Sequence, residues 1–367
     1  MNRFNWQHKE WPDFKFDIIN IEKFLYSFYE RVGHVTGILK AIPDDLQIET
    51  LIEIMVAEAI KTSEIEGEFL SRKDVVSSIK KNLGLVTLDE NKDARVAGIS
   101  LLMINVRNTF SDPMSEQLLF DWHTMLMSDV KDVEIGKWRT HKELMQVISG
   151  ALGKQKVHFE APPSDIVPKE MTNFIKWFND TAPGGINEIR HAPIRAAISH
   201  LYFESIHPFE DGNGRIGRAI AEKALSQGIG RPVMLSLSKT IESNKKKYYA
   251  ELEKAQLSME IDSWVKYFIE IIIEAHVDSE NLIDFTLKKV KFFDRFRDLL
   301  NERQLKVIKR MLDEGPEGFI GGINAGKYGS IGKVSKATAT RDLQYLLDIK
   351  AIIVSGGGRS TSYFVNI

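Results

Sequence analysis

The sequence predicts a mainly α-helical protein with one β-hairpin near its middle and a small separate domain at its C-terminus. Most of the chain between residues 15 and 256 carries apolar residues at three- and four-residue spacing, the period of an amphipathic helix. One stretch in the middle alternates between apolar and polar residues, and the segment 301–367 changes to short helices and glycine-rich turns. A chain of 367 residues is long enough for two or three domains.

The N-terminal region is predicted to be helical over residues 15–85. Two segments, 18–39 and 46–67, carry the helical spacing most clearly. The second has one continuous apolar stripe, formed by Ile52, Val56, Ala59 and Ile60. Gly67 is the predicted end of this helix, because glycine is common just past a helix C-terminus.

Further helices are predicted over 93–110, 115–128, 165–179, 191–205, 215–227 and 239–256. Between the second and third of these, residues 136–163 alternate and end in two prolines, which predicts a hairpin followed by a loop. Residues 257–300 are predicted to be a helical connector. The tail, from residue 301, ends in two predicted short strands around a glycine turn.

Composition indicates an ordinary soluble protein. Apolar residues make up 43% of the chain, charged residues 27%, and the net charge is −2, which argues against wholesale binding to nucleic acid or membranes. The chain has no cysteine, which excludes disulfides and thiolate chemistry and fits a reducing cytosol. Neither a signal peptide nor a membrane span is recognisable, so we expect a cytoplasmic protein.

The stretch HPFEDGNGRIGR, residues 207–218, carries the strongest chemical signal. Gly212, Gly214 and Gly217 have the G-x-G-x-x-G spacing of a dinucleotide-binding turn, but such a turn follows a β-strand. Residues 192–206, directly before it, have helical and not alternating apolar spacing. The predicted order of elements is therefore helix, loop, helix, whereas a Rossmann turn requires strand, turn, helix.

A loop that leads into a helix N-terminus can bind phosphate through free backbone N–H groups and the helix dipole. Arg215 and Arg218 are three residues apart, so both guanidinium groups lie on one helix face and can hold separate phosphates. Asp211 can hold Mg²⁺ that bridges phosphate oxygens, and His207 can act as a general base. The alternative gives each residue a local role only, as cap, turn residue or solvated charge, and four such residues in one short motif make it the weaker interpretation.

The motif resembles, in full, the H-x-F-x-(D/E)-G-N-G-R-x-x-R signature of Fic-domain proteins, which transfer AMP from ATP to hydroxyls of protein side chains. Residues 191–206 and parts of 136–163 also resemble this family, so the likeness covers roughly residues 95–260. The resemblance implies a Fic-type helical bundle in which the hairpin, about 145–160, is a flap that aligns a target peptide by β-augmentation.

The resemblance also implies a role for each residue of the motif. His207 would be the general base, Phe209 would hold the loop in the core, and Asp211 would ligate Mg²⁺. The nucleotide would be bound by a group of phosphate ligands: Gly212, Asn213 and Gly214 on the α- and β-phosphates, Arg215 on the β-phosphate and Arg218 on the γ-phosphate. A relative that acts as a kinase has lysine in place of Gly214, so glycine here favours nucleotidyl transfer.

Downstream, Tyr248, Leu252 and Gln256 are four residues apart and share one helix face. In the resembled family this helix lines the base pocket, which implies that Tyr248 contacts adenine; asparagine is the more usual residue at the position of Gln256. An ordinary core stripe explains the same spacing, and the sequence leaves both interpretations open.

A second motif, TSEIEG, occupies residues 62–67. It resembles the (S/T)-x-x-x-E-(G/N) inhibitory motif of Fic proteins and supplies Thr62, Glu66 and Gly67. A Glu66 carboxylate paired with Arg218 would occupy the γ-phosphate position and slow transfer. The resemblance further implies that Glu66 can orient water for removal of AMP from a modified target. The alternative is a capped helix end with a solvated glutamate.

The tail, residues 301–367, resembles a winged-helix module and carries ten Lys and Arg against six Asp and Glu. Its candidate DNA-contacting residues are Ser335, Lys336, Thr338, Thr340, Arg341 and Arg359. Protein interaction or simple packing is the alternative. The stretch 321–327 fits G-x-x-x-x-G-K, but Tyr328 follows where a P-loop has Ser or Thr, so a flexible turn is favoured. The spacing of His191, His200 and His207 does not predict a metal cluster, and His200 is expected in the core.

The sequence therefore predicts four segments: a helical regulatory region over 1–90, a Fic catalytic core over 91–260, a helical connector over 261–300 and a winged-helix domain over 301–367. The predicted function is autoinhibited transfer of AMP from ATP, with Mg²⁺, to Ser, Thr or Tyr hydroxyls of target proteins and of the chain itself. The second hypothesis is a DNA-binding regulator whose nucleotide site only senses ligand. No membrane partner is expected, and a homodimer is left open.

Overall fold

The computed structural model describes residues 3–86, 93–131, 133–149, 156–316, 318–319 and 321–367. The helices of this part are α1 Glu22–Ala41, α2 Asp44–Ile65, α3 Arg72–Asn82, α4 Ala94–Asn108, α5 Glu116–Met127, α6 Val167–Asp180, α7 Ala192–Ile206, α8 Asn213–Ile229, α9 Leu237–Ser243, α10 Lys245–Ala255, α11 Asp262–Phe296, α12 Glu302–Leu312, α13 Ala325–Gly332 and α14 Lys336–Asp348. The strands are β1 Gln146–Ser149, β2 Lys156–Glu160, β3 Ile352–Ser355 and β4 Ser362–Val365. The prediction of a mainly helical protein is confirmed.

Local sequence signals explain where several helices begin. The side chains of Ser71, Asp93 and Ser115 each accept a backbone N–H from the first turn of α3, α4 and α5. Proline occupies the first turn of both α6 and α7, where its missing N–H has no helical partner to lose. The starts of α4, α5, α6 and α7 lie within two residues of the predicted positions 93, 115, 165 and 191.

One predicted helix, over 239–256, is two helices in the structure. Asn244 interrupts it with φ −138° and ψ 47°, outside the helical region, so α9 ends at Ser243 and α10 starts at Lys245. The apolar spacing continues across this break, which is why periodicity alone predicts a single helix. None of the described helices combines the length and apolar character needed to cross a bilayer.

The chain forms two compact units. One comprises Met1–Ile42 and Leu51–Ser279, and the other comprises Pro43–Thr50 and Glu280–Ile367. In the first unit α7 is buried along its whole length, and it packs against α8. Side chains of α2, among them Ile52 and Val56, contribute to the same hydrophobic core as α7. The 62–67 motif and the 207–218 motif therefore belong to one unit.

The predicted hairpin is present as an antiparallel pair, β1 and β2. Gln146 pairs with Glu160 and Val147 with Phe159, and the register shifts between Val147 and Ile148. Residues 150–155, which belong to the predicted flap, lie outside the described residues. The ring of Phe159 packs on Phe4 in a small hydrophobic cluster of its own.

The second unit holds α12, α13, α14 and the antiparallel hairpin of β3 and β4. A buried network joins its helices, because Asp342 of α14 accepts hydrogen bonds from Arg303 at 2.7 and 2.9 Å and from the Tyr328 hydroxyl at 3.0 Å. Tyr328, which stands where a P-loop would have Ser or Thr, is thus a core residue. The winged-helix assignment and the four predicted segment boundaries stay predictions.

Candidate active site

The candidate site lies in the loop that joins α7 to α8. His207 follows α7 as its C-cap in the left-handed region, with φ 51° and ψ 60°, and Gly212 is the N-cap of α8 with φ 80°. Residues other than glycine rarely adopt positive φ, and they concentrate at functional sites when they do. The element before the glycines is a helix, so the loop does not have the strand–turn–helix order of a Rossmann site.

Asn213 and Phe209 close this loop on itself. The Asn213 amide accepts the Phe209 backbone N–H at 2.9 Å and donates to the Phe209 carbonyl at 2.8 Å. The buried Phe209 ring stacks on His123 with ring centroids 4.1 Å apart. The loop is therefore fixed in shape before any ligand binds, because both its backbone and its apolar side chain have partners inside the protein.

His207 sits against a buried arginine. Arg139 donates from Nε to the His207 carbonyl at 2.8 Å and from Nη2 to the Ile206 carbonyl at 3.3 Å, and it also bonds the Pro162 carbonyl and the Ser164 hydroxyl. Burial, together with the Arg139 charge, lowers the pKa of His207 to about 4. The imidazole is therefore neutral at neutral pH, which is the form that can accept a proton.

The segment 62–68 contains the end of α2 and the reversal after it. Gly67 has φ 86°; its N–H donates to the Glu64 carbonyl at 3.0 Å and the Glu68 N–H donates to the Ser63 carbonyl at 2.9 Å. These are the two bonds of a Schellman motif, in which the residue at the Gly67 position must be left-handed. The motif places Glu66 and Glu68 on either side of the reversal.

Glu66 contacts Arg218. Arg218 is 2% exposed and donates from Nη2 to Glu66 Oε1 at 2.8 Å. Thr62 holds the same guanidinium, since its hydroxyl accepts from Nε at 2.8 Å and its carbonyl from Nη2 at 3.1 Å. Burial alone would raise the pKa of Glu66, but the charge and hydrogen bond of Arg218 hold that pKa below its usual value.

Gly214 makes room for this contact. A Cβ placed on Gly214 would lie 2.4 Å from Glu66 Oε1, closer than non-bonded atoms approach, and 3.1 Å from Arg218 Nη1, a tight contact. Any side chain at this position would displace the Glu66 carboxylate. Gly214 thus accommodates the 62–68 segment.

Arg215 has a carboxylate partner that the sequence did not predict. Its Nη1 donates to both oxygens of Glu68 at 3.1 Å. The Arg215 side chain is buried and the Glu68 side chain is 27% exposed. The only signal in the sequence was the position of Glu68 two residues after Glu66. Because the chain reverses at Gly67 between them, the two carboxylates can pair with two different arginines.

Asp211 is exposed and its Oδ1 accepts the backbone N–H of Gly212 at 2.6 Å. Mg²⁺ is usually held by one or two carboxylates, with water and substrate phosphates completing its shell. A single exposed carboxylate beside a helix N-terminus fits that demand. Within the described residues no group of three or more His, Asp and Glu side chains forms a metal site by itself.

Tyr248, Leu252 and Gln256 are all buried on one side of α10. The Tyr248 hydroxyl pairs with His200 Nε2 at 2.7 Å, and Gln256 donates to the Glu204 carbonyl at 3.2 Å. This arrangement is the one that the core-stripe alternative describes, and contact of Tyr248 with adenine stays a prediction. His200 is buried, and burial lowers its pKa to about 4.

The candidate DNA-contacting residues of the tail lie at the start of α14. Ser335 is the N-cap, with its hydroxyl accepting the Thr338 N–H, and Lys336, Thr340 and Arg341 are exposed. The side chain of Arg359 lies outside what the structure describes. The structure thus places three of these side chains at the surface, and DNA binding stays a prediction.

Two family models match the chain. Residues 113–225 match the Fic/DOC family and residues 4–85 match a domain of unknown function, DUF4172. The 207–218 motif lies within the stretch that matches the Fic/DOC family.

Curated relatives match over part of their length. Protein adenylyltransferase fic-1 of Caenorhabditis elegans is 27% identical over 171 residues, which are 47% of this chain and 30% of the relative. Protein adenylyltransferase Fic of Drosophila melanogaster is 23% identical over 193 residues, 52% of this chain and 35% of the relative. The matched part is thus about a third of these relatives.

Solved structures resemble this fold. A Fic family protein from Desulfovibrio desulfuricans G20 has a TM-score of 0.53 at 20% identity and covers 95% of this chain and 96% of its own. A fragment of Fic-1 from Caenorhabditis elegans has a TM-score of 0.51 at 19% identity, with 75% and 73% covered. The predicted mainly helical, Fic-type fold is confirmed.

Proposed function

Taking the Fic domain of residues 113–225 as the premise, we propose that this chain is a protein adenylyltransferase that moves AMP from ATP to Ser, Thr or Tyr hydroxyls of target proteins and of itself. One observation carries the proposal: a neutral histidine and two buried arginines meet at a single loop that opens a helix. A base beside an anion site is what attack of a hydroxyl on a nucleotide phosphate requires. The matched relatives are themselves named protein adenylyltransferases.

In the proposed reaction His207 takes the proton of the target hydroxyl while the hydroxyl oxygen attacks the α-phosphorus. The new P–O bond forms as the bond from the α-phosphorus to the oxygen that bridges it to the β-phosphate breaks, and pyrophosphate leaves. Arg215, Arg218 and the N-terminus of α8 stabilise the negative charge of the leaving phosphates. Mg²⁺ held by Asp211 would neutralise charge on the phosphate oxygens.

We further propose that the 62–68 segment inhibits this reaction. The Glu66 carboxylate occupies the guanidinium of Arg218 that the γ-phosphate would use, so ATP binds with its phosphates misplaced or not at all. Glu68 does the same at Arg215, the proposed partner of the β-phosphate. Inhibition thus acts on both phosphate clamps through one chain reversal. When a modified target is bound, Glu66 can also orient water for removal of AMP.

Transfer of radiolabel from [α-³²P]ATP tests the proposal. Glu66→Gly should increase labelling of the chain itself and of added protein, because it frees Arg218, and adding His207→Ala should abolish that labelling. Glu64→Gly is the matched control: Glu64 lies in the last turn of α2, two residues before Glu66, but pairs with Lys61 at 2.6 Å, so this variant should stay at the wild-type rate.

Two outcomes separate the parts of the proposal. Labelling by the Glu66→Gly chain that equals wild type contradicts inhibition by the 62–68 segment. Absence of labelling from every variant, at pH values between 6 and 9, contradicts adenylyl transfer itself. Mass spectrometry of the labelled chain identifies the transferred group as AMP. The alternative of a DNA-binding regulator is not favoured, since the matched relatives are enzymes by name.

A further inference from the structure

A buried carboxyl group that the proposed reaction does not use lies beside the proposed base. Glu204 is on α7, one turn before His207, and is 5% exposed. Its Oε2 lies 3.7 Å from His207 Nδ1. Within the part of the chain that the structure describes, neither His207 Nδ1 nor Glu204 Oε1 has a hydrogen-bond partner, although both atoms are buried. Unpartnered buried polar atoms are costly, so a buried imidazole nitrogen without a partner this close to a buried carboxyl group calls for an explanation.

The neighbouring helix is shaped around this carboxyl group. A Cβ placed on Gly217 of α8 would lie 2.3 Å from Glu204 Oε1 and 3.2 Å from the His200 ring. Any larger residue at 217 would push the Glu204 side chain away from its position. The last glycine of the 207–218 motif thus leaves space for Glu204, a role that the phosphate-binding interpretation of the motif does not include.

The chemistry of the base explains what such a group can do. An imidazole that accepts a proton at Nε2 must carry its other proton at Nδ1, and that N–H needs an acceptor to fix the tautomer. After proton transfer the ring is a buried cation, with the Arg139 charge nearby to disfavour it. A carboxylate at Nδ1 answers both needs.

We propose that Glu204 is the positioning residue for His207: its carboxylate accepts the Nδ1–H, keeps Nε2 free to take the hydroxyl proton, and balances the imidazolium charge. This inference rests on the proposed function of His207. The side-chain movement it needs is small, since a hydrogen bond requires the 3.7 Å separation to shorten to about 2.8 Å.

Ionisation of Glu204 is then a condition for activity. Burial raises its pKa to about 8; the Arg218 charge opposes this rise and the Glu66 charge adds to it. The other titratable groups that face it are His207, His200, Tyr248 and Tyr249. Because the pKa is raised, the carboxyl group is protonated below about pH 8 and ionised above it, so kcat should rise with pH through this range.

The first test compares Glu204→Gln with its parent, both carrying Glu66→Gly so that transfer is measurable. Gln has the shape of the protonated acid and should fold like the parent in a melting curve. We expect kcat at pH 9 to fall at least ~tenfold with KM for ATP nearly unchanged, and the rise of kcat near pH 8 to disappear. A kcat and pH profile equal to the parent's would overturn the proposal. Gly217→Ala, which displaces Glu204 without removing it, should lower kcat in the same direction.

The second test does not depend on transfer. Nitrogen-15 spectra of the histidine rings, with His207 assigned by comparison with His207→Ala, report its tautomer in the wild-type chain at pH 9. We expect the proton at Nδ1; a proton at Nε2 would overturn the proposal. If no variant transfers AMP but the tautomer is as expected and changes in Glu204→Gln, the proposed function fails and the His207–Glu204 pair stands.

Discussion

The contact between Glu68 and Arg215 makes a quantitative prediction about inhibition. Changing Glu68 to Gln keeps the length of the side chain and removes its charge. Both carboxylate oxygens share one nitrogen of Arg215 at 3.1 Å, longer than the spacing of strong charge-assisted hydrogen bonds, and the side chain is 27% exposed. We therefore assign the Glu68–Arg215 contact a free energy of about 1.5 kcal/mol, the low end of the range for hydrogen bonds to charged groups.

Because about 1.4 kcal/mol corresponds to a tenfold change, Glu68→Gln should shift the competition at Arg215 toward the β-phosphate by about tenfold. Glu66 binds a fully buried guanidinium at 2.8 Å, which belongs at the upper end of the same range, about 3 kcal/mol, or roughly a hundredfold. The variants should therefore rank wild type, Glu68→Gln, Glu66→Gly and the double variant, in order of increasing transfer.

The assay is the initial rate of transfer from labelled ATP, together with ATP affinity by calorimetry. Glu64→Gln is the matched control, since Glu64 pairs with Lys61 and not with an arginine of the site. The reasoning is refuted if Glu68→Gln changes neither the rate nor the affinity by more than about twofold in either background, while Glu66→Gly raises both.

Two further predictions concern pH and stability. The pKa of Glu66 is lowered in the folded chain. The pairing of its carboxylate with Arg218 is therefore fully present above the ordinary pKa of 4.5, and it is lost only as pH falls through the lower pKa of the folded state. The gain in ATP affinity caused by Glu66→Gly should accordingly stay constant between about pH 6 and 8, and a gain that shrinks toward pH 6 contradicts the pairing with Arg218. Asn213→Ala leaves the N–H and C=O of Phe209 buried without partners and should lower the free energy of unfolding by about 2 kcal/mol or more in urea titrations; an unchanged midpoint and slope contradict that role.

The sequence predicted the parts of the site that are contiguous. The geometry of the 207–218 motif follows from its sequence, because the loop leads directly into a helix and a three-residue spacing in a helix puts Arg215 and Arg218 on one face. The proximity of Glu66 to Arg218 followed from a resemblance in a second motif, and periodicity alone contains no information about which two helices meet.

The contacts that the sequence did not predict come from packing. Glu204 lies on α7, which is buried on every side, so its helical spacing has no polar face against which a buried acid would stand out. Tyr248 is buried in the core, whereas its four-residue spacing from Leu252 and Gln256 was equally compatible with the lining of a pocket. Tyr248 bonds His200 on α7, and the space that Glu204 occupies is left by Gly217 on α8, so only the fold identifies these neighbours.

The end of α2 is the part of the helix that would have to open if Glu66 and Glu68 are to leave the two arginines. Its last turn is held by the two backbone bonds around Gly67 and by Lys245, whose ammonium group donates to the Ile65 carbonyl. Glu66 is 29% exposed, while Ile52 and Val56 earlier in the helix are buried in the core. Fraying of a helix terminus needs far less free energy than opening a buried middle. Under the proposed inhibition, opening of this helix end would separate Glu66 and Glu68 from the two arginines without unfolding the core, and amide exchange in the last turn should outpace exchange around Ile52.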